Sequence, residues 1–275
     1  MGTGRVAFVH PIERLRYLAR SSGADPRVLV AETASALCGM GVDPAGLVVA
    51  CRRIVERHPT SGPLWWLCAH MLTAPDPFAT ARRLAAEIDA DPTPDVLIDT
   101  LPEDATVCVV GWPDLVGEAV LRRGDIRVLV VDADDEGASF VRRLERSDVE
   151  AEVVEAGGAA AAVLAADCLV VEALAASTGD LLVARGARAA ASVAYCSEVP
   201  AWAVLGVGRC LPDAAFTSLV DRVADVRVPW SAAADVVPLA LFSHVVTAQG
   251  VVGLADAALA AECPLAHELL RSGLR

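Results

Sequence analysis

The residues best suited to proton chemistry stand close together in one stretch. Between Asp167 and Pro212 the chain reads Asp167-Cys-Leu-Val-Val-Glu172, then Thr178-Gly179-Asp180, then Arg185-Gly186, an Ala-rich run, and Pro200-Ala-Trp-Ala-Val-Leu-Gly206. General acid–base work needs one group that holds a proton and another that accepts it, both within hydrogen-bond reach. Glu172 and Asp180 offer carboxylates, and Arg185 offers a cation beside a helix start near Gly186, where an anion could be held. Each also has a plainer reading: Glu172 as a strand-end carboxylate bonded to a loop amide, Asp180 as a loop or cap acid.

The elements that must position these groups follow from period and punctuation. Apolar runs of four to six residues between turn signals suit parallel strands covered on both faces. Asp167–Glu172 and Ala201–Leu205 are such runs, joined by a loop and by a helix that Gly186 opens and Pro200 stops. The polar loop then lies at the carboxyl end of a strand, where open α/β sheets bind ligands. Upstream, Val107–Gly111, Val128–Asp132 and Glu152–Glu155 read as strands, and Glu136–Arg146 and residues 157–166 as helices. Val226–Trp230 reads as a last short strand. Strands alternating with helices of ten to fifteen residues mean a parallel sheet.

Residues up to about 95 read differently. Asp25-Pro26, Asp43-Pro44 and Asp76-Pro77 each set an N-cap acid before a Pro at the first helical position. Gly39 and Gly41 end the first of these helices. Asp91-Pro-Thr-Pro-Asp95 and Pro102-Glu-Asp104 bracket a linker. The organisation expected is α/β, with an N-terminal helical domain over 1–100 and a Rossmann-like parallel-sheet domain over 101–275.

Composition excludes several classes. A chain of 275 residues with net charge -13, in which every basic residue is Arg, is poorly suited to nucleic acid, which needs clustered cations. Val236–Ala255 lacks charge but is interrupted by Pro, Gly and polar residues, so it reads as buried protein and not a membrane span. No secretory signal shows at the start. The eight cysteines form no C-x-x-C pair and the five His are scattered, so reduced, buried thiols in the cytoplasm are expected and no metal. Asp132 ends a strand as a ribose-binding acid does in dinucleotide folds. No G-x-G-x-x-G precedes it, and Gly2-x-Gly4 and Gly206-x-Gly208 lack the third Gly, so no nicotinamide or other cofactor is expected.

The order of these segments resembles the superfamily of methylthioribose-1-phosphate isomerase, ribose-1,5-bisphosphate isomerase and the regulatory subunits of eukaryotic translation initiation factor 2B. The resemblance covers residues from about 50 to 250. His58-Pro-Thr60 and Leu64-Trp-Trp66 resemble the family's R-P-T-A-V-N-L-x-W segment, with His58 at its Arg. Thr178-Gly179-Asp180 resembles N-G-D, and Asp235 to Gly250 resembles D-x-x-P-p-x-L-I-x-x-x-V-T-x-x-G. The resemblance implies a cleft in which a Cys and an Asp move protons between C1 and C2 of an aldose 1-phosphate. The thiol position matches Gly111, followed by Trp112; the nearest thiol, Cys108, lies three residues earlier. The Asp matches Ala173 or Leu174, beside Glu172. N-K-x-G-T has become Ala184-Arg-Gly-Ala187, and the phosphate-gripping E-x-R-P has become the acidic Val131-Asp-Ala-Asp-Asp-Glu136.

The resemblance thus implies a member without the usual pair, using its cleft for a small ligand, a sugar phosphate or nucleotide, or its surface for assembly as a homo-oligomer, most simply a dimer. The apolar tail from Val236 is then a candidate face. The alternative is an aldose–ketose isomerase with a rearranged pair, Glu172 with Cys108 or Asp180. In either case the ligand-binding positions implied are His58, Thr60, Gly111, Trp112, Thr178, Gly179 and Arg185.

Overall fold

The computed structural model describes residues 25–41, 43–223 and 228–270. The start read for a secretory signal, and Gly2-x-Gly4, lie outside them.

Four helices open the described chain: α1 (Pro26–Met40), α2 (Pro44–Arg57), α3 (Gly62–Thr73) and α4 (Pro77–Asp89). The three Asp-Pro starts act as the sequence implies. Asp25 accepts from the Arg27 amide at 2.8 Å, Asp43 from the Gly46 amide at 2.7 Å, and Asp76 from the amides of Phe78 and Ala79 at 3.1 and 2.9 Å. Each cap satisfies amides that the first turn leaves without partners, worth about 1 kcal/mol. Gly41, with φ 55°, closes α1, whereas Gly39 stays inside the helix.

After a short helix α5 (Thr93–Thr100) the period changes. The chain runs β1 (Thr106–Val110), α6 (Asp114–Arg123), β2 (Arg127–Asp132), α7 (Gly137–Glu145), β3 (Ala151–Glu155), α8 (Ala159–Ala165) and β4 (Cys168–Ala176). It continues through β5 (Asp180–Ala184), α9 (Ala187–Cys196), β6 (Ala201–Leu205) and α10 (Asp213–Val223). Strands β7 (Ala234–Pro238), β8 (His244–Thr247) and β9 (Gly250–Gly253) and the short α11 (His267–Leu270) complete it.

The sheet order is β3-β2-β1-β4-β6-β8-β9, parallel except for β9. Alternate side chains feed two cores. Cys108, Leu169, Val171 and Ala203 pack with α8 and α9 on one face; Val107, Val109, Val170 and Val204 pack with α5, α6 and α7 on the other. A third core joins α1–α4 to α10, to Cys263, Ala266 and Leu269 near the end, and to Ala175, Leu182 and Ala234 of the sheet. The protein is therefore an α/β molecule with an N-terminal helical layer over a Rossmann-like sheet. Leu97 and Leu101 belong to the sheet core, so α5 packs as part of the sheet layer.

Three local expectations are corrected. The loop expected between Glu172 and Gly186 is instead the end of β4, which bulges between Ala173 and Ala175, followed by β5 antiparallel to it; β7 pairs with β5 in turn. Leu181 and Val183 are buried in the core under α9, and Leu182 in the core under the helical layer. The strand expected over Val226–Trp230 is not formed where it is described: Pro229–Ser231 is one 3-10 turn, because Pro229 has no amide to give a ladder. The tail from Val236 is not a free apolar face: Val237, Leu239, Phe242, Val245 and Val246 are all buried. No described helix is long and apolar enough to cross a membrane.

Candidate functional site

Strands β1, β2 and β3 step to one side of β1, and β4 returns on its other side. This reversal opens a crevice at the carboxyl ends of β1 and β4, the place where such sheets bind ligands. Here the crevice is filled from within. Glu172 is the last residue of β4 in register with β6. One of its oxygens accepts from the Leu115 and Val116 amides at the start of α6, at 2.8 and 3.2 Å; the other accepts from Arg209 Nη2 at 2.7 Å. The side chains of Arg209 and Glu172 are only 5% and 7% exposed. Arg209 also donates to the Ala173 carbonyl. The plainer reading of Glu172 thus describes its geometry: it caps a helix start and neutralises a buried guanidinium.

The helical layer closes over this pair. Asp91 accepts from the Val207 amide at 2.9 Å through one oxygen and from Thr93 through the other. A Cβ on Gly206 would lie 2.6 Å from an Asp91 oxygen, so the backbone after β6 can approach only as glycine. Gly208 has φ 77° and presses on the Trp66 ring, where a Cβ would fall 2.9 Å from Cδ2. A cavity of about 10 Å³ remains, lined by Asp25, Arg27, Asp91, Asp114 and Arg209 among others, room for about one water. Asp114, half-buried at the start of α6, has its carboxyl pushed up to about 7 by burial and by the charges of Glu172 and Asp25. The guanidiniums of Arg209 and Arg143 oppose that rise.

The candidate catalytic residues are not brought together. Cys108 is fully buried inside β1, with its thiol pushed up to about 12 by burial. It stands in register with Leu169 and shares that core, whereas Glu172 alternates with Val170 toward the other face. Three residues of strand, about 10 Å, also separate their rows. Asp180 opens β5 opposite Pro238 of β7, at the far tip of the antiparallel arm. The pleat therefore keeps Cys108 from Glu172, and Asp180 lies three residues, about 10 Å, along β5 from Val183, the partner of Ala173.

The expected binding residues fall into three places. Gly111 (φ 70°) and Trp112 follow β1, and Trp112 packs 5.5 Å from Phe140 with Arg143 5.9 Å over its ring. Arg185, on the neighbouring β5–α9 turn, is paired with Asp134 at 3.4 Å. Thr178 and Gly179 form the β4–β5 turn, and Thr178 donates through its amide and its hydroxyl to Asp213. His58 caps the end of α2, its imidazole held below its ordinary value by burial and by Arg57. Thr60 follows in the turn to α3, whose first residue, Gly62, sits against the Leu174 carbonyl of β4. The anion site expected near Gly186 is already occupied: Asp235 accepts from the Gly186 and Arg188 amides at 2.9 and 3.1 Å. The loop after β6 is likewise taken, with the Cys210 amide donating to Glu262 at 3.0 Å. No group of three or more His, Cys, Asp or Glu among the described residues could hold a metal ion.

Sequence reasoning missed Arg209, Asp91, Asp114 and Glu262 as members of this region. Asp91 was legible as the start of a linker, and Arg209 only as the neighbour of an incomplete glycine motif.

A helical layer above a doubly wound sheet, with its crevice at the β1/β4 reversal, defines the architecture, and solved structures share it. The crystal structure of the translation initiation factor eIF-2B from Pyrococcus horikoshii OT3 matches with a TM-score of 0.73 at 16% identity, covering 88% of this chain and 96% of that one. In the tetrameric eIF2B-beta2-delta2 complex from C. thermophilum the match has a TM-score of 0.70 at 16% identity, covering 89% and 90%. The eIF2B delta subunit of Chaetomium thermophilum matches with a TM-score of 0.66 at 13% identity, covering 89% and 99%. No family model matches the chain, and no curated protein does. The chain has the fold of initiation factor 2B subunits.

Proposed function

We propose that this chain is a divergent initiation-factor-2B-like protein of the sugar-phosphate isomerase fold that works without the Cys/Asp pair, as an assembly or small-ligand-binding protein. The observation that carries this reading is the crevice itself. Where the resembled isomerases present a thiol and a carboxylate to a ligand, Gly111 follows β1 here and both oxygens of Glu172 are engaged by Arg209 and α6. The amides that could grip a phosphate are held by Glu172, Asp235, Asp91 and Glu262. Arg185 already faces Asp134, and the acids at 132 and 134–136 would repel a sugar phosphate or nucleotide by about 1 kcal/mol or more per close pair. These features favour assembly over an anionic ligand. The complex that one structural neighbour forms is a tetramer; for this chain we infer a homo-oligomer, most simply a dimer. Its eight unpaired thiols fit a reducing cytoplasm.

Two measurements test the reading. Sedimentation velocity at micromolar concentration should show a dimer or larger species; a strict monomer would remove the assembly role. Purified protein given methylthioribose 1-phosphate or ribose 1-phosphate derivatives should show no turnover above background. Turnover would instead favour the second reading, an aldose–ketose isomerase with a rearranged pair. One observation speaks for that alternative: Asp114, beside Glu172, can hold or release a proton near neutral pH.

A further inference from the structure

Helix α1 meets the start of α6 across the crevice. Arg27 bonds Asp25 at 3.2 Å and reaches across to Glu118 at 2.7 Å, so it ties α1 to α6. Arg209 is taken by Glu172. Asp114 thus faces Asp25 and Arg27 from α1, Asp91 from the link after α4, Glu118 on its own helix, Glu172 from β4, Arg209 from the loop after β6 and Arg143 from α7. Five carboxylates, Asp114 included, share this seam with three guanidiniums, two of which are already committed to carboxylates within it. The cavity lined by Asp25, Arg27, Asp91, Asp114 and Arg209 has room for about one water, too little to screen an added negative charge.

We propose that this seam is a proton-linked clasp: with Asp114 neutral, α1 closes down on the β1–α6 corner and covers the crevice, and with Asp114 ionised the corner loosens. Such closure of the helical layer holds whether or not the crevice turns over a substrate. The direction follows from linkage. Burial raises the Asp114 carboxyl from 3.8 to about 7 in the closed form, and opening returns it to water. The closed form therefore holds the proton more tightly. Opening becomes easier as pH rises from about 4 through about 7, and levels off above.

Hydrogen exchange on the full chain tests this, read at the amides of residues 28–32 and 115–118 and corrected for intrinsic rate. Opening of these turns should increase about tenfold or more between pH 5.5 and 7.5, since a tenfold difference in proton affinity between the two forms changes their ratio tenfold. It should stay level from 7.5 to 8.5. Asp114→Asn should keep opening at its low level throughout. A wild-type profile without pH dependence overturns the clasp, as does the same profile in Asp114→Asn. Should that variant fail to fold, Asp25→Asn serves in its place. It removes a charge that presses on Asp114, so the midpoint must move to lower pH; an unmoved midpoint overturns the proposal.

Discussion

Glu172→Gln separates a structural carboxylate from a catalytic one. In the structure Glu172 neutralises Arg209, and both side chains are more than nine-tenths buried. Removing one member of such a pair leaves the other charged and unpaired in a poorly solvated place, at a cost of about 3–5 kcal/mol. The α6 amides would also lose a charged acceptor, worth about 0.3–1 kcal/mol at a helix start. Against a total stability of about 5–15 kcal/mol this is a large fraction. Arg209→Met should cost a similar amount, because it strands the carboxylate. The double variant should cost clearly less than the sum, by about 2 kcal/mol or more, since neither charge is then left alone. Urea unfolding followed by Trp fluorescence measures all three, provided the slope is unchanged. Single variants that cost under about 1 kcal/mol, or strictly additive effects, would refute the reasoning. A Glu172 kept for chemistry would more often show the opposite sign, stability gained when an active-site charge is removed.

Other expectations follow from neighbouring positions. Gly208→Ala should lose about 2–4 kcal/mol, because φ 77° is strained for alanine and its Cβ meets the Trp66 ring; Gly111→Ala, with only an ordinary 3.4 Å contact to Ala184, should lose about 1–2 kcal/mol. Asp114→Asn should stabilise the protein on the order of 2–3 kcal/mol at pH 8 and much less at pH 4.5. The folded carboxyl lies above its unfolded value, so its ionisation penalty grows between about 4 and about 7; equal gains at both pH values would contradict the assignment. With a thiol reagent at pH 8, exposed Cys196 should react first and half-buried Cys38 more slowly. Cys108, Cys168, Cys210 and Cys263, pushed up to about 12, should wait for unfolding. Rapid native labelling of Cys108 would show that β1 is not packed as described. Glu262→Ala should loosen the segment near residue 262 by removing the acceptor of the Cys210 amide, while the backbone carbonyl keeps its contacts to Trp66 and His70, at a cost of about 1 kcal/mol. Limited proteolysis near residue 260 would report it.

Elements with strong local causes were legible in the chain alone. Asp-Pro pairs start helices because their caps and fixed φ act within one turn, and apolar runs between turn signals become parallel strands because both faces must be covered. That the thiol position of the resembled family falls on Gly111 was legible too, since no cysteine stands between residues 109 and 113. The rest was settled only by folding. Strand β5 escaped notice because an antiparallel strand between β4 and β7 is defined by those partners and not by its own five residues. The chain alone leaves Glu172 open as catalyst or as cap; that a guanidinium 37 positions later and two amides 56 and 57 positions earlier share its oxygens is set by the fold. The proton affinity of Asp114 was invisible in the same way: burial and the charges of distant acids, all brought in by the fold, set it.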